Sequence, residues 1–180
     1  MTHRLFAAIR PPAPVIEALL ALEGGIAGAR WQDAGQLHQT LRFFGEVDAR
    51  RAEDIIEKLA RVHSRPFSLA LCGVGHFERK GRIHSLWAGV APSDALSALQ
   101  RSTERAAQAA GLPAEARKFV PHITLARLNA ASGPVLPFLA EHASLHGEPL
   151  PVTAFDLIES TLTPAGAEYE TVRRYRLDRD

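Results

Sequence analysis

The sequence predicts an α+β protein made of two pseudo-symmetric lobes whose sheets face each other across a central cleft. Three observations lead there. Strand-like and helix-like patterns alternate along all 180 residues, and the order strand, helix, strand, helix, strand occurs twice. The third element of each half opens on the same tetrad, His38-Gln39-Thr40-Leu41 and His122-Ile123-Thr124-Leu125. A chain of this length makes one domain, since domains cluster near ~100–150 residues. Residues 1–180 therefore read as a single two-lobed unit, with sequence halves at 1–83 and 84–180.

In the first half, Arg4–Arg10 alternates as a strand, and Pro11–Ile26 follows as a helix with Val15, Ile16, Leu19, Leu20 and Leu22 on one face. Leu37–Phe44 is strand-like. Asp48 caps a helix to about Val62 that buries Ile55, Ile56 and Leu59. Phe67–Val74 is the next strand, ending at a Gly73/Gly75 turn. The second half opens with a strand, Ser85–Ala91. Ser93 caps a helix through Ala110, with Gly111 just past its end. His122–Leu128 is a strand, Gly133–Ser144 a short helix, and Val152–Thr161 and Glu170–Leu177 close the chain as strands. Matching Phe6 with Trp87 as equivalent opening-strand positions places the histidines 32 and 35 residues downstream. Near-equal spacing suggests duplication of one supersecondary unit.

Composition narrows the function classes. Apolar residues make up 46% of the chain and charged residues 23%, a balance that can bury a core and is too apolar for disorder. The net charge of +1 argues against coating nucleic acid by bulk electrostatics, though a local anion site remains open. The one cysteine, Cys72, excludes an internal disulfide and a multi-cysteine metal site; it is expected as a small core residue in a cytoplasmic protein. The apolar run before Arg10 is too short for a signal peptide, and none of the apolar runs reaches membrane-spanning length.

The tetrads carry the chemistry. With eight His in the chain, chance yields roughly 0.04 His-x-Thr-Leu matches, and two are present at equivalent places. Side chains on a strand repeat every two residues, so His and Thr of each tetrad share a face about 6.5–7 Å apart. Two imidazoles converging from opposite lobes suit in-line displacement at phosphorus. One removes a proton from attacking water while the other protonates the departing alkoxide, and Thr40 and Thr124 donate to equatorial oxygens where charge develops. Such a site needs no metal or other cofactor to open a strained cyclic phosphodiester.

Leu-His-Gln-Thr-Leu-Arg-Phe-Phe-Gly-Glu (37–46) and Lys-Phe-Val-Pro-His-Ile-Thr-Leu-Ala-Arg (118–127) resemble the paired motifs of the two-histidine phosphoesterase superfamily. Within it, the chain is most similar to the bacterial and archaeal RNA 2′,3′-cyclic phosphodiesterases, also described as 2′-5′ RNA ligases. The opening Arg-Leu-Phe-Ala-Ala-Ile, the Leu-Trp-Ala-Gly-Val strand at 86–90, and Glu159-Ser160 leading to Gly166 and Tyr169 extend the likeness nearly end to end. Phe44 departs from the leucine the family commonly has there. The resemblance implies lobes of antiparallel sheet flanked by helices and metal-independent hydrolysis of a terminal 2′,3′-cyclic phosphate to a 2′-phosphate. It casts His38 as general acid toward O3′ and His122 as the base, although the pseudo-symmetry permits either polarity. The implied partner is RNA with cyclic-phosphate ends, tRNA fragments among it, acted on by a monomer with no membrane association.

Other residues carry two readings. Arg42 shares strand parity with His38 and Thr40 and is a candidate for the phosphate, against a surface salt bridge. Arg127 has the opposite parity from His122 and reaches the cleft only if its strand bends, although the resemblance supports a phosphate role. Phe43, Phe44, Phe119 and Tyr169 are candidates for stacking a terminal base, with core packing the competing explanation for the phenylalanines. Arg79, Lys80 and Arg82 form a basic turn that either flanks a polynucleotide or stays solvated. Small cyclic nucleotides or 2′-5′ oligonucleotides are alternative substrates for the same site, and a nucleotide- or RNA-binding module without turnover is the alternative of another class.

Overall fold

A computed structural model describes residues 2–164 and 166–178. Among these residues the four helices and seven expected strands appear in the predicted order, with one strand divided in two and two short strands added to make ten. Strand β1 (Thr2–Ile9) sends Leu5, Ala7 and Ile9 into the main core and Phe6 and Ala8 to the opposite face, so it is buried on both sides. Helix α1 (Ala13–Leu20) starts at Pro12 and stops short of the expected Ile26, because Gly24 and Gly25 take φ of +134° and +74°. Strand β2 is only Arg30–Trp31, and β3 runs from Gln39 to Asp48.

Helix α2 (Ala49–Leu59) opens under the predicted cap: the Asp48 carboxylate accepts from the Arg51 amide, worth about 1 kcal/mol. The expected Phe67–Val74 strand divides into β4 (Phe67–Leu69) and β5 (Leu71–Arg79). Strand β5 runs through both glycines and turns at Lys80-Gly81, where φ of +53° and +73° suits a two-residue hairpin. Cys72, expected inside, lies exposed in the irregular stretch between Leu71 and Val74. Strand β6 spans Arg82–Val90, and α3 (Asp94–Ala109) is capped by Ser93 and ends before Gly111 at φ +84°. Strand β7 is His122–Arg127; α4 (Leu136–Glu141), β8 (Leu150–Val152), β9 (Ala154–Thr163) and β10 (Gly166–Arg176) complete the order.

Every strand pair is antiparallel. The expectation of two separate facing sheets needs correction, however, because the large sheet is continuous in the order β10-β9-β1-β3-β7-β6-β5, with β2 also on β7. Its two parts join through one residue pair, Gln39 with Ile123. That contact lets each tetrad strand pair its edge at one point and diverge on either side. Strands also change partners between the sequence halves. Strand β5 pairs with β6, β9 pairs with β1, and β4 pairs with β8 in a small second sheet. Each lobe thus contains strands from both halves, and the position 83/84 falls inside β6.

The main core lies on one side of the sheet, where α2 and α3 pack against each other and against β3. Leu5, Leu59, Leu86, Leu99 and Ile123 are at most 2% exposed there, and a fully buried side chain of this kind stabilises by about 1.5–3 kcal/mol. The opposite face carries a smaller cluster of Phe6, Ala8 and Ile158 with Phe43 and Tyr169 against it. Among the described residues, no helix is long and apolar enough to cross a membrane.

Candidate active site

The site begins with the one pair that joins the lobes. Gln39 and Ile123 are fully buried, and their side chains face the core. Alternation therefore puts His38, Thr40, His122 and Thr124 on the other face. In the antiparallel register set by that pair, His38 comes alongside Thr124 and Thr40 alongside His122. The four form a quadrilateral with the imidazoles at opposite corners.

Both rings are oriented in the same way. His38 Nδ1 bonds the Gln36 carbonyl at 2.7 Å, and His122 Nδ1 bonds the Val120 carbonyl at 2.6 Å. A carbonyl only accepts, so Nδ1 carries the hydrogen and Nε2 is left free on each ring. The threonine hydroxyls make no hydrogen bond with other described residues and can donate to an incoming anion. His146 makes the same local bond to the Ser144 carbonyl without a second imidazole opposite it. The bond orients a ring; the pairing across the lobes makes a site.

Aromatic rings surround each imidazole. His38 lies 4.8 Å from the Phe6 ring and 5.3 Å from Tyr169, the latter edge to face at 86°. His122 lies 4.8 Å from Phe77 at 87° and 6.0 Å from Trp87. Gly75 makes the second wall possible: a Cβ there would sit 2.3 Å from indole carbons of Trp87. Desolvation is the main reason both imidazoles titrate below the ordinary histidine value. His38 is pushed down to about 4, with its bond to Gln36 opposing the shift and Arg10, His122 and Arg127 adding to it. His122 moves the same way, with its bond to Val120 opposing and Arg127 adding. Each imidazole thus lies within electrostatic reach of Arg127, and His38 within reach of His122.

Among the described residues, no three His, Cys, Asp or Glu side chains converge. The groups facing the cleft are imidazole, hydroxyl and guanidinium, a set suited to an anion. A separate hollow of about 560 Å³, lined in part by Arg82, His84 and Asn129, contains neither histidine. All four tetrad side chains are partly exposed.

The family model of the LigT-like phosphoesterases matches residues 9–87 and 89–169. The chain belongs to this family. An RNA 2′,3′-cyclic phosphodiesterase of Thermotoga maritima is 35% identical over 147 residues, 81% of this chain and 78% of the relative. One of Archaeoglobus fulgidus is 28% identical over 173 residues, 94% of this chain and 98% of the relative. The crystal structure of Escherichia coli LigT complexed with 3′-AMP superposes with a TM-score of 0.78 at 27% identity, covering 99% of each chain.

This LigT-like chain departs from simple strand parity at the residue after each tetrad threonine. Ala8 faces Thr40 while Ala7 faces Arg42, so Leu41 is an extra residue on β3. Trp87 faces Thr124 while Leu86 faces Ala126, so Leu125 is extra on β7. Each bulge reverses which later side chains face the cleft. The same register makes Ala8, not Phe6, the counterpart of Trp87.

Arg42 is the first correction that follows. It points away from the cleft, forming ion pairs with Glu104 at 2.5 Å and Glu115 at 3.6 Å and donating to the Pro113 carbonyl at 2.7 Å. Phe44 is the second: it is 7% exposed in the main core, leaving Phe43 on the cleft face. Phe119 is half-buried against the main core and has no ring contact with either histidine among the described residues. Tyr169 lies against His38. Arg127 emerges exposed on the cleft face, in the cross-strand row of Ser85 and Arg30. Phe6, Phe77 and the indole of Trp87 were missed as neighbours of the imidazoles. Alternation sets Trp87 opposite in direction to Leu86 and Ala88, but no sequence signal identifies its face with the cleft.

Proposed function

We propose that this chain is a phosphodiester hydrolase that opens the terminal 2′,3′-cyclic phosphate of RNA to a 2′-phosphate, using His38 and His122 as its proton-transfer pair. The observation that carries the reading is the pair of imidazoles at opposite corners of the tetrad quadrilateral, each with Nδ1 held by a carbonyl and Nε2 free. Relatives named RNA 2′,3′-cyclic phosphodiesterase support the substrate class.

In the proposed step, Nε2 of His122 takes a proton from water as the water oxygen bonds to phosphorus. The P–O3′ bond breaks, and protonated Nε2 of His38 delivers its proton to O3′. Thr40 and Thr124 donate to the non-bridging oxygens, and Arg127 offsets the charge that builds on them. The products are a 2′-phosphate and a free 3′-hydroxyl. The family likeness carries the polarity, and 2′-5′ ligation is the same displacement with a 5′-hydroxyl attacking in place of water. With the cleft empty, His38 is neutral near pH 7, since burial holds it down to about 4. Entry of an anionic phosphate raises both imidazoles, so substrate itself favours loading the acid.

Product analysis on an oligonucleotide ending in a 2′,3′-cyclic phosphate tests the proposal. A 2′-phosphate end produced in the presence of a chelator is expected. A 3′-phosphate end would reverse the leaving group, and binding without product would leave a nucleotide-binding module in place of the enzyme.

A further inference from the structure

The cleft face carries basic residues that the proposed step does not use, and Arg30 is one of them. Strand β2 is two residues long and lies along β7 where β3 has diverged from it. Trp31 turns inward and packs 5.6 Å from Phe138. Its neighbour Arg30 is exposed, directly opposite Arg127 across the strand pair and on the same face.

Two like charges facing each other on adjacent strands destabilise a sheet unless something answers them. Carboxylates answer several other arginines: Arg42 meets Glu104 and Glu115, Arg61 meets Glu57, and Arg174 and Arg10 both meet Asp156, while the other facing pair, Arg79 and Arg82, stands at an exposed hairpin tip. Neither Arg30 nor Arg127 has a carboxylate within ion-pair distance among the described residues. Cationic groups continue toward the other lobe, where the Arg4 guanidinium lies 4.9 Å over the Phe43 ring. Tyr169, which touches His38, lies within the electrostatic reach of Arg127, Arg4 and Arg30, with Asp33 opposing them. This excess of guanidinium begins beside the phosphate position and extends away from it.

RNA supplies a complementary arrangement. Its terminal cyclic phosphate would occupy the tetrads, and the next phosphodiester along the chain is a second anion at fixed spacing. We infer that Arg30, set beside Arg127 by β2, is a second phosphate site that holds the phosphodiester on the 5′ side of the cyclised nucleotide. The inference rests on the function proposed above and narrows its substrate: an oligonucleotide end is preferred over a mononucleoside cyclic phosphate.

The test compares kcat/KM for a mononucleoside 2′,3′-cyclic phosphate with kcat/KM for a dinucleotide carrying the same cyclised nucleoside. Wild-type protein favours the dinucleotide, and Arg30→Gln lowers that preference about tenfold, as expected for loss of one charge-assisted contact. Its KM for the dinucleotide also rises less steeply with salt than that of the wild type, because one phosphate contact fewer is made. Arg30→Lys, which keeps the charge, recovers part of the preference. Equal losses on both substrates, or an unchanged ratio with turnover intact, overturn the subsite while leaving the catalytic reading standing. Wild-type turnover of neither substrate overturns the catalytic reading and the subsite together.

Discussion

The surroundings of His38 and His122 repeat one design and then depart from it at matched positions. Both imidazoles are held through Nδ1 by the carbonyl two residues earlier, both face an aromatic ring edge to face, and both tetrads end in a bulged leucine, Leu41 or Leu125. Immediately after the bulge the halves differ. The first residue faces inward in both, but it is Arg42 in one and Ala126 in the other; the second faces the cleft as Phe43 in one and Arg127 in the other. The repeated part supplies the two imidazoles to which the proposed step assigns proton transfer. The unequal part puts cationic charge on the β7 side of the groove, so a substrate anion meets an asymmetric site built on a symmetric frame.

Deleting either imidazole probes the repeated part and has the largest expected effect. His38→Ala and His122→Ala should each reduce kcat on a cyclic-phosphate-ended oligonucleotide by about 10²- to 10⁴-fold. The double variant should fall little further than the worse single one, because acid and base act in one step. Single-turnover product formation measures this. If one variant retained wild-type kcat, the two halves would not be chemical equivalents.

The mismatch behind the sheet comes next. Arg42 is 8% exposed, and its fork connects β3 to Glu104 on α3 and to the segment carrying Pro113 and Glu115. Arg42→Met leaves Glu104 without its partner and should lower unfolding free energy by about 3 kcal/mol in urea titrations. Adding Glu104→Gln should recover much of that loss. At the matching site the small Ala126 packs into the core, so β7 has no corresponding ionic link. A negligible change in Arg42→Met would mean the network is held by its backbone rather than by charge.

The cleft-facing mismatch has a smaller effect. Arg127→Gln should raise KM and lower kcat, with a combined loss of about 10- to 100-fold in kcat/KM, as for a charge-assisted contact to phosphate. Phe43→Leu, the change at the matched position, should cost less than Arg127→Gln because it removes ring area rather than charge. Steady-state kinetics on one oligonucleotide substrate decides it; equal losses would erase the asymmetry.

The unequal part was also the part hardest to read from sequence. The tetrads, their strands, the Asp48 and Ser93 caps and the repeated order of elements follow from local pattern, since period and capping chemistry act over a few residues. A bulge is a property of two strands together. Nothing in Thr40-Leu41-Arg42 alone shows that Ala7 and Ala8 oppose Arg42 and Thr40 while skipping Leu41. Strict alternation therefore aimed Arg42 at the phosphate and Arg127 away from it, reversing both. The exchange of β5 and β9 between lobes is likewise a pairing between distant strands, and the division of the chain into two halves carries no sign of it. Strand β2 was missed because two residues are too few for any period.

Acid stability distinguishes the halves most finely. His38, buried beside Phe6 and Tyr169, is pushed down to about 4, against an ordinary value near 6.5. Between those values the unfolded chain binds a proton on this residue that the folded chain refuses, so folding stability falls as pH drops through that window and is unaffected by it above about 6.5. His122 shifts in the same direction. Urea midpoints from pH 7 to pH 4.5 should decline less in His38→Asn than in wild type, and the relief should be smaller in His122→Asn. Equal declines in the wild type and His38→Asn would show that His38 accepts a proton in the folded protein as readily as in the unfolded chain. Its enclosure by the aromatic cluster would then not set its charge, and the contrast between a closed first imidazole and a more open second one would be lost.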